Sequence, residues 1–428
     1  MLCNQCQQTP DGGCTVQGVC GKDADLNGVQ ELILYGLKGV SAYATEARSL
    51  GYTDDQVDAT VQEALYTTLT NVNFSIEDHL DVALDVGSAA IRVMELLDEA
   101  HLDELGVPEP VEVPQNQVEG QSILVTGHDL HALERLLEQS EGEGVNVYTH
   151  SEMLPAHGYP ELDAYDHLKG NIGGAWHDQR VLLEEFPGVF LGTSNCVQPT
   201  RDSYHDRVFT TSVAGLDDVP TVEDDFTPVI EKAKQTEPAD WQSDQTLSTG
   251  FHHETVLDMA PEIIDAVEDG DLRRFFVIAG CDAPTPGRDY FRELAASVPE
   301  DCVIMTTSCG KFRFNDLDFE TVPGTDIPRY IDLGQCSNSI STVKIAVALA
   351  DAFDCGVNDL PLSIALSWFE QKAVAILLGL FSLGVEDIYL GPTMPEFLTP
   401  DVANVITSKF GLRPTGDPQM DLERMLAN

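Results

Sequence analysis

Four cysteines open the chain within its first twenty residues: Cys3, Cys6, Cys14 and Cys20, spaced C-x2-C-x7-C-x5-C with no histidine among them. Four thiolates suit either zinc or an iron–sulfur cluster. A zinc ribbon usually shows two C-x2-C knuckles and here there is one, so the spacing favours a [4Fe–4S] cluster, with [2Fe–2S] second and structural zinc third. Glycines fill the gaps, where a chain wrapping a cluster needs unusual backbone angles and free N–H groups near sulfur. Later cysteines stand differently. Apolar runs at 275–280, 303–307 and 330–334 each lead to a thiol, at Cys281, Cys309 and Cys336, and a fourth run at 364–369 leads to Glu370 and Lys372. Upstream, runs at 122–126, 145–149 and 188–192 lead to His128, Glu152 and Cys196.

These runs have the length and apolar content of buried strands. Helical patterns separate them, and alternation of strand and helix implies parallel sheets. In open parallel sheets, sites form beyond the carboxyl ends of the strands. Thiols, carboxylates and an imidazole delivered to that rim could meet around one metal centre.

Other segments must hold these rims in place. Apolar positions recur every three to four residues from 24 to 106, predicting three antiparallel helices, with Thr53-Asp54-Asp55 capping the second, Ser75 opening the third, and Leu69 and Val72 continuing the second. Gly36 and Gly39 interrupt the first. His79 and His101 read as surface residues, and 107–121, with Pro108, Pro110 and Pro114, reads as an extended linker. The stretch 170–176 reads as a glycine-rich turn without a nucleotide fingerprint. Residues 218–252 are acid-rich and poorly periodic apart from a short helix near 229–235, and a helix is expected over 256–267. Cys302 and Cys355 read as buried thiols. The division expected is 1–115, the cluster loop and three-helix bundle; 116–252, a first α/β domain; and 253–428, a second. The fold class is thus α/β multidomain, with two Rossmann-like parallel domains after the helices.

Composition narrows the function. Acidic residues number 72 against 23 basic in 428, a formal charge of −49. That excludes a nucleic-acid footprint. Its even spread predicts a self-repelling surface adapted to salt, as in the cytoplasm of a halophile. No apolar run is long enough to span a membrane, no secretory signal opens the chain, and ten cysteines in such a chain suggest metal or redox work.

Taken together, the N-terminal quartet ending in Gly18-Val19-Cys20-Gly21-Lys22, Gly127-His128-Asp129-Leu130, 148–155 around Glu152, and Asn195-Cys196-Val197-Gln198-Pro199 resemble the hybrid cluster proteins (prismane proteins, hydroxylamine reductases). So do Ala279-Gly280-Cys281-Asp282, Ser308-Cys309-Gly310-Lys311, Gly334-Gln335-Cys336 and 367–373 around Glu370 and Lys372. The resemblance spans nearly the whole chain. It implies a cubane on Cys3, Cys6, Cys14 and Cys20, and a hybrid [4Fe–2O–2S] cluster on His128, Glu152, Cys196, Cys281, Cys309, Cys336 and Glu370. It further implies a persulfide on Cys281 and a pocket lysine at Lys372. The short stretch between Cys20 and His128 resembles the family's single-bundle class. The activity implied is reduction of a small N–O substrate, hydroxylamine, by electrons from a separate donor protein (a reductase or ferredoxin). Glu370, Lys372, Glu152 and His128 would be the catalytic groups. Nitric oxide reduction, protein S-nitrosylation, redox sensing and a carbon monoxide dehydrogenase-like chemistry are the alternatives.

The charge makes a first prediction. Self-repulsion is screened as the Debye length falls to about 3 Å at 1 M salt, so the melting temperature should rise between low salt and molar KCl. An unchanged melting temperature would refute the salt-adapted surface.

Overall fold

The computed structural model describes residues 3–238 and 242–427. Its first elements are α1 (Ala24–Ser49), α2 (Asp55–Thr67) and α3 (Ile76–Leu105). Each starts at a residue whose side chain takes up a free N–H of the first turn: Asp23 accepts from Leu26, Asp54 from Gln56 and Val57, and Ser75 from Asp78. Helix α2 ends at Thr67, so Leu69 and Val72 do not extend it and stand exposed. His79 and His101 are buried, against expectation. The helical period accounts for both: His79 precedes Ala83 by four residues and His101 follows Leu97 by four, on α3's buried stripe.

The expected linker contains a strand, β1 (Val111–Pro114). Two parallel sheets follow. The first runs β2 (Gln121–Thr126), β3 (Val145–His150), β4 (Leu168–Asn171), β5 (Val189–Gly192), β6 (Val208–Thr211) and β7 (Thr221–Val222) in chain order. Its crossovers include α4 (Leu130–Ser140), α5 (Pro160–Asp163) and α6 (Gln179–Glu185), and α7 (Thr227–Ala233) follows it. Gly170 and Asn171 therefore lie in a strand rather than a turn. Strand β8 (Thr246–Thr249) pairs antiparallel with β1, so the segment before the first sheet is tied to the segment after it. Of the acid-rich stretch, residues 239–241 lie outside the described residues.

The expected helix over 256–267 is two, α8 (His253–Asp258) and α9 (Ala260–Asp269), broken at Met259 with Pro261 in the first turn of the second. The second sheet comprises β9 (Arg274–Gly280), β10 (Cys302–Thr306), β11 (Tyr330–Asp332), β12 (Leu362–Ser367), β13 (Ile388–Gly391) and β14 (Arg413–Pro414). It carries α10 (Asp289–Ser297), α11 (Ser339–Ala352), α12 (Gln371–Ser382), α13 (Pro400–Phe410) and α14 (Pro418–Ala427). The spatial orders are β4-β3-β2-β5-β6-β7 and β11-β10-β9-β12-β13-β14, all parallel. Both reverse direction once, between β2 and β5 and between β9 and β12. Those reversals are where open α/β sheets leave a crevice. Cys302 is buried at the start of β10, whereas Cys355 is only half-buried.

Helix α12 leaves its sheet and packs into the bundle, sharing one apolar core with α1 and α3. Gly36, Gly39 and Gly87 permit this. A Cβ at Gly39 would stand 2.6 Å from Ala375 Cβ and 3.1 Å from Lys372 Cα, and one at Gly87 would stand 2.1 Å from Leu378 O. The glycines that look like interruptions of a helix are thus the groove for another helix. Among the described residues no helix is long and apolar enough to cross a membrane.

Gly87→Ala should force α12 backbone away from α3, because the atom it would meet is a carbonyl and not a flexible side chain. A loss of about 3 kcal/mol, the upper end for overpacking, is expected in chemical denaturation, with loss of iron from the downstream site. Wild-type stability would refute this account of the groove.

Candidate metal centres

The N-terminal cysteines face one another across a small cavity. Cys3 and Cys14 are paired as an antiparallel bridge through N–H···O bonds of 3.3 and 2.9 Å. Cys6 and Cys20 join them in lining the cavity, with Thr9, Lys22, Leu69 and Phe74. Lys22 Nζ donates to Gln30 Oε1 at 3.0 Å, and Gln30 Nε2 lies 3.2 Å from His79 Nε2. His79 thus anchors the lysine beside the thiols. It is a functional role for a buried polar chain that the histidine's type alone did not suggest.

The other candidate residues converge where the carboxyl ends of the two sheets meet. His128 follows β2, Glu152 follows β3 and Cys196 follows β5. Cys281, Cys309, Cys336 and Glu370 follow β9, β10, β11 and β12. The contacts across the gap are direct. Glu152 Oε2 accepts from the Cys336 N–H at 3.1 Å and lies 3.6 Å from His128 Nε2, and Gln335 Nε2 donates to Glu152 O at 2.9 Å. Lys372 Nζ, in the first turn of α12, donates to His128 Nε2 and to Asn195 Oδ1, each at 2.9 Å. Glu370 is the N-cap of α12, but its side chain makes no cap hydrogen bond, so its carboxylate is left for another partner. Its backbone N–H points to the Cys281 sulfur.

Backbone geometry is bent at these positions. Ser151, Cys196 and Ser308 have positive φ (55°, 71° and 68°), each at or beside a candidate ligand. Conformations of this kind cost about 1 kcal/mol or more and persist where the surroundings impose them. Gly280 carries φ +111°, and a Cβ there would stand 1.9 Å from Ser367 O, so only glycine lets β9 turn Cys281 inward against β12.

Electrostatics define what could sit here. Burial pushes Cys336 up to about 12; Glu152 and Glu370 add to this, while Lys372 opposes it. Burial likewise holds Cys196, Cys281 and Cys309 well above the ordinary thiol range, with neighbouring carboxylates and thiols adding to it. Burial raises Glu152 against Lys311 and Lys372, and its Oε1 is buried without a protein partner. Burial, then Lys372, holds His128 well below its usual range. Since Lys372 can only donate, His128 Nε2 accepts and its Nδ1 donates to Ser194 Oγ at 2.9 Å. That leaves a neutral imidazole, the form that ligates metals, whose Nε2 is held by Lys372 and lies 3.6 Å from Glu152 Oε2. Burial, the largest single influence on Lys372, would push it down. The anionic forms of Cys336, Glu370, Cys196 and Glu152 together outweigh that and hold it up. With Lys311 already paired to Asp332, the Lys372 ammonium among this many potential anions leaves a deficit of positive charge, which a multinuclear iron centre would fill. The donor set and the unpartnered Glu152 oxygen fit such a group.

Several supporting residues carry no signal of their own in the sequence. Lys311 and Asp332 form a fully buried ion pair, and Lys311 also donates to Gly334 O at 2.9 Å, bracing the loops that carry Cys309 and Cys336. Asn195 Nδ2 donates to Cys196 Sγ at 3.5 Å, and Asp282 N to Cys309 Sγ at 3.2 Å. Tyr43 of α1 is buried near Cys336, its hydroxyl without a hydrogen-bond partner. Strand-end polar residues were the available hint for Asp332 and Asn195; for Tyr43, on an apolar helical stripe, there was none.

Comparison with known proteins agrees with the geometry. The family model described as "Prismane/CO dehydrogenase family" matches residues 1–83 and 51–423. The chain is 53% identical over its full length to the whole hydroxylamine reductase of Moorella thermoacetica, and 48% identical, again end to end, to that of Methanothermobacter thermautotrophicus. A hydroxylamine reductase of Acidithiobacillus ferrooxidans is 48% identical over 95% of this chain, which spans 73% of that longer protein. Among solved structures, carbon monoxide dehydrogenase IV from Carboxydothermus hydrogenoformans superposes with a TM-score of 0.80 at 14% identity, over 100% of this chain and 92% of that one. The carbon monoxide dehydrogenase of Thermococcus sp. AM4 gives 0.77 at 16%, over 100% and 90%. At such identities the likeness is one of fold.

Replacing Cys6 by Ser should abolish the spectroscopic signal of the N-terminal centre and leave the downstream centre's iron in place, because the two sets of thiols share no loop. Zinc bound at Cys3, Cys6, Cys14 and Cys20 after anaerobic purification would contradict the iron–sulfur assignment.

Proposed function

Because the chain belongs to the Prismane/CO dehydrogenase family, we propose that it reduces hydroxylamine to ammonia and water at an iron–sulfur centre between its two sheets. Cys3, Cys6, Cys14 and Cys20 hold a [4Fe–4S] cluster in this reading. His128, Glu152, Cys196, Cys281, Cys309, Cys336 and Glu370 hold a hybrid [4Fe–2O–2S] cluster, with a persulfide on Cys281. The observation that carries the reading is the meeting of four thiols, three of them buried, with an imidazole and two carboxylates around Lys372. Thiolates are soft and favour iron bound to sulfur; His128, Glu152 and Glu370 are harder and suit iron bound to oxygen. That mixture counts against a carbon monoxide dehydrogenase chemistry. When bound, the cluster would supply electrons and a Lewis acid that polarises the N–O bond.

The chain's own residues do the rest. A cavity of about 480 Å³, lined by His128, Asn195, Glu370 and Lys372 and by residues of α1, gives a small substrate a path to the site. Lys372 presents N–H donors there, held in direction by His128 and Asn195, and can hydrogen-bond the oxygen that leaves. Glu370 is free of a capping bond and stands at the N-terminal end of α12. The overall change is two electrons and two protons in, the N–O bond broken, and ammonia and water out. Electrons come from a separate donor protein by way of the N-terminal cluster, in a cytoplasmic enzyme. The division 1–115, 116–252 and 253–428 belongs to the same proposal, with α12 reaching back from the third part into the first.

Glu370→Gln should keep the N-terminal signal, alter the downstream spectrum and lower hydroxylamine turnover by about 100-fold or more, as for loss of a ligand or a positioned acid–base group. Lys372→Ala should keep near-normal iron and lose turnover alone. Wild-type iron, spectra and rate in Glu370→Gln would remove the carboxylate from the site. Nitric oxide turnover faster than hydroxylamine turnover would move the substrate assignment.

A further inference from the structure

Three buried polar atoms without a protein partner lie in one row: Glu46 Oε1, His101 Nε2 and His131 Nε2. Glu46 Oε1 is 3.8 Å from His101 Nε2, and the His101 and His131 rings are 6.0 Å apart. At the far end His131 Nδ1 lies 3.2 Å from Glu104 Oε2 and 3.3 Å from Glu134 Oε2, on side chains 44% and 26% exposed. At the near end, the Glu46 side chain lines the same cavity as Lys372, His128 and Glu370 and is itself 20% exposed. Buried polar atoms are rarely left unsatisfied, and where they face one another water joins them. Carboxylates, imidazoles and water in series, open to solvent at one end and to a reaction cavity at the other, are the components of a proton path.

We propose that Glu104 and Glu134, His131, His101 and Glu46 conduct protons from the surface to the cavity beside Lys372, with Glu46 the last carrier. The proposal rests on the reduction argued above. In it, the N–O bond of hydroxylamine takes two electrons from the reduced iron–sulfur centre, fed by its donor protein. Two protons arrive through this row, and oxygen leaves as water and nitrogen as ammonia. The side chains have the protonation such a path needs. Burial, then the Asp129 charge, raises Glu46 to about 8 against Lys372, so it carries a proton at neutral pH. Burial, then His131, lowers His101 to about 3 against Asp98, so it is neutral and can pass a proton from one ring nitrogen to the other. Tyr159, edge-on to His101, is a further titratable group at the junction, beside Asp98; burial, then Asp98, raises it well above its usual range, so it stays protonated.

The test uses the iron-loaded enzyme with Glu46→Gln and His101→Phe, after iron content and absorption spectrum are matched to wild type. Wild-type turnover should fall as pH rises through about 8, as Glu46 loses its proton. Both variants should lose about 100-fold in turnover, the lower end for a positioned proton donor, and Glu46→Gln should lose the alkaline limb. Independently of activity, infrared pH-difference spectra of the wild-type holoenzyme should show a protonated carboxyl titrating on the alkaline side, absent from Glu46→Gln. Should Glu46→Gln not retain iron, Glu46→Asp takes its place, and its alkaline limb and carboxyl band must both move. Wild-type rate and pH profile in Glu46→Gln, no band assignable to Glu46, or an unmoved limb and band in Glu46→Asp would overturn the relay. A wild-type enzyme without hydroxylamine turnover would strike the proposed reaction instead, leaving the infrared band to decide the relay.

Discussion

Four thiols and two carboxylates drawn together around one buried ammonium is an arrangement that a folded chain does not reach by packing alone. Each donor taken out of water resists becoming an anion, and each neighbouring anion adds to the resistance. Protonation can relieve this, and so can a multivalent cation centre. The unpartnered Glu152 oxygen and the neutral, Lys372-facing His128 favour the second. Much else in the structure holds this arrangement in place: the bent backbones at Ser151, Cys196 and Ser308, the buried Lys311–Asp332 pair, and the glycine turn before Cys281.

Two features of the chain make the convergence possible. Both sheets reverse strand order at the strands that carry His128 and Cys196 in one, and Cys281 and Glu370 in the other, so each contributes a crevice and the crevices oppose. Helix α12 then closes the gap. It follows directly on its N-cap Glu370, carries Lys372 in its first turn, and lies in a groove cut by Gly36, Gly39 and Gly87 of α1 and α3. The bundle is therefore a wall of the site as well as a support, which is how Tyr43 and Glu46 of α1 come to face it.

Local signals in the sequence were reliable where one interaction decided the outcome. The cap of α2 falls at Asp54, within the expected stretch 53–55, Ser75 caps α3 as expected, and apolar runs leading to Cys281, Cys309 and Cys336 are parallel strands with the thiols beyond their carboxyl ends. What failed was non-local. Gly36 and Gly39 looked like weaknesses of a helix because their partner, α12, lies more than three hundred residues away. His79 and His101 looked superficial because histidine usually is, yet the helical period had already placed them inside. The strand at 111–114 was masked by its prolines, since its pairing partner at 246–249 supplies the evidence for it. The Lys311–Asp332 pair and the row from Glu46 to His131 exist only once distant segments are brought together, and no periodicity encodes them.

Anomalous diffraction from an anaerobically grown crystal, collected at the iron edge, tests the central claim most directly. The account predicts two separate groups of iron peaks, one enclosed by Cys3, Cys6, Cys14 and Cys20, and one among His128, Glu152, Cys196, Cys281, Cys309, Cys336 and Glu370. Absence of iron from the second position, or iron there held by the thiols alone with Glu152 and Glu370 turned away, would contradict it.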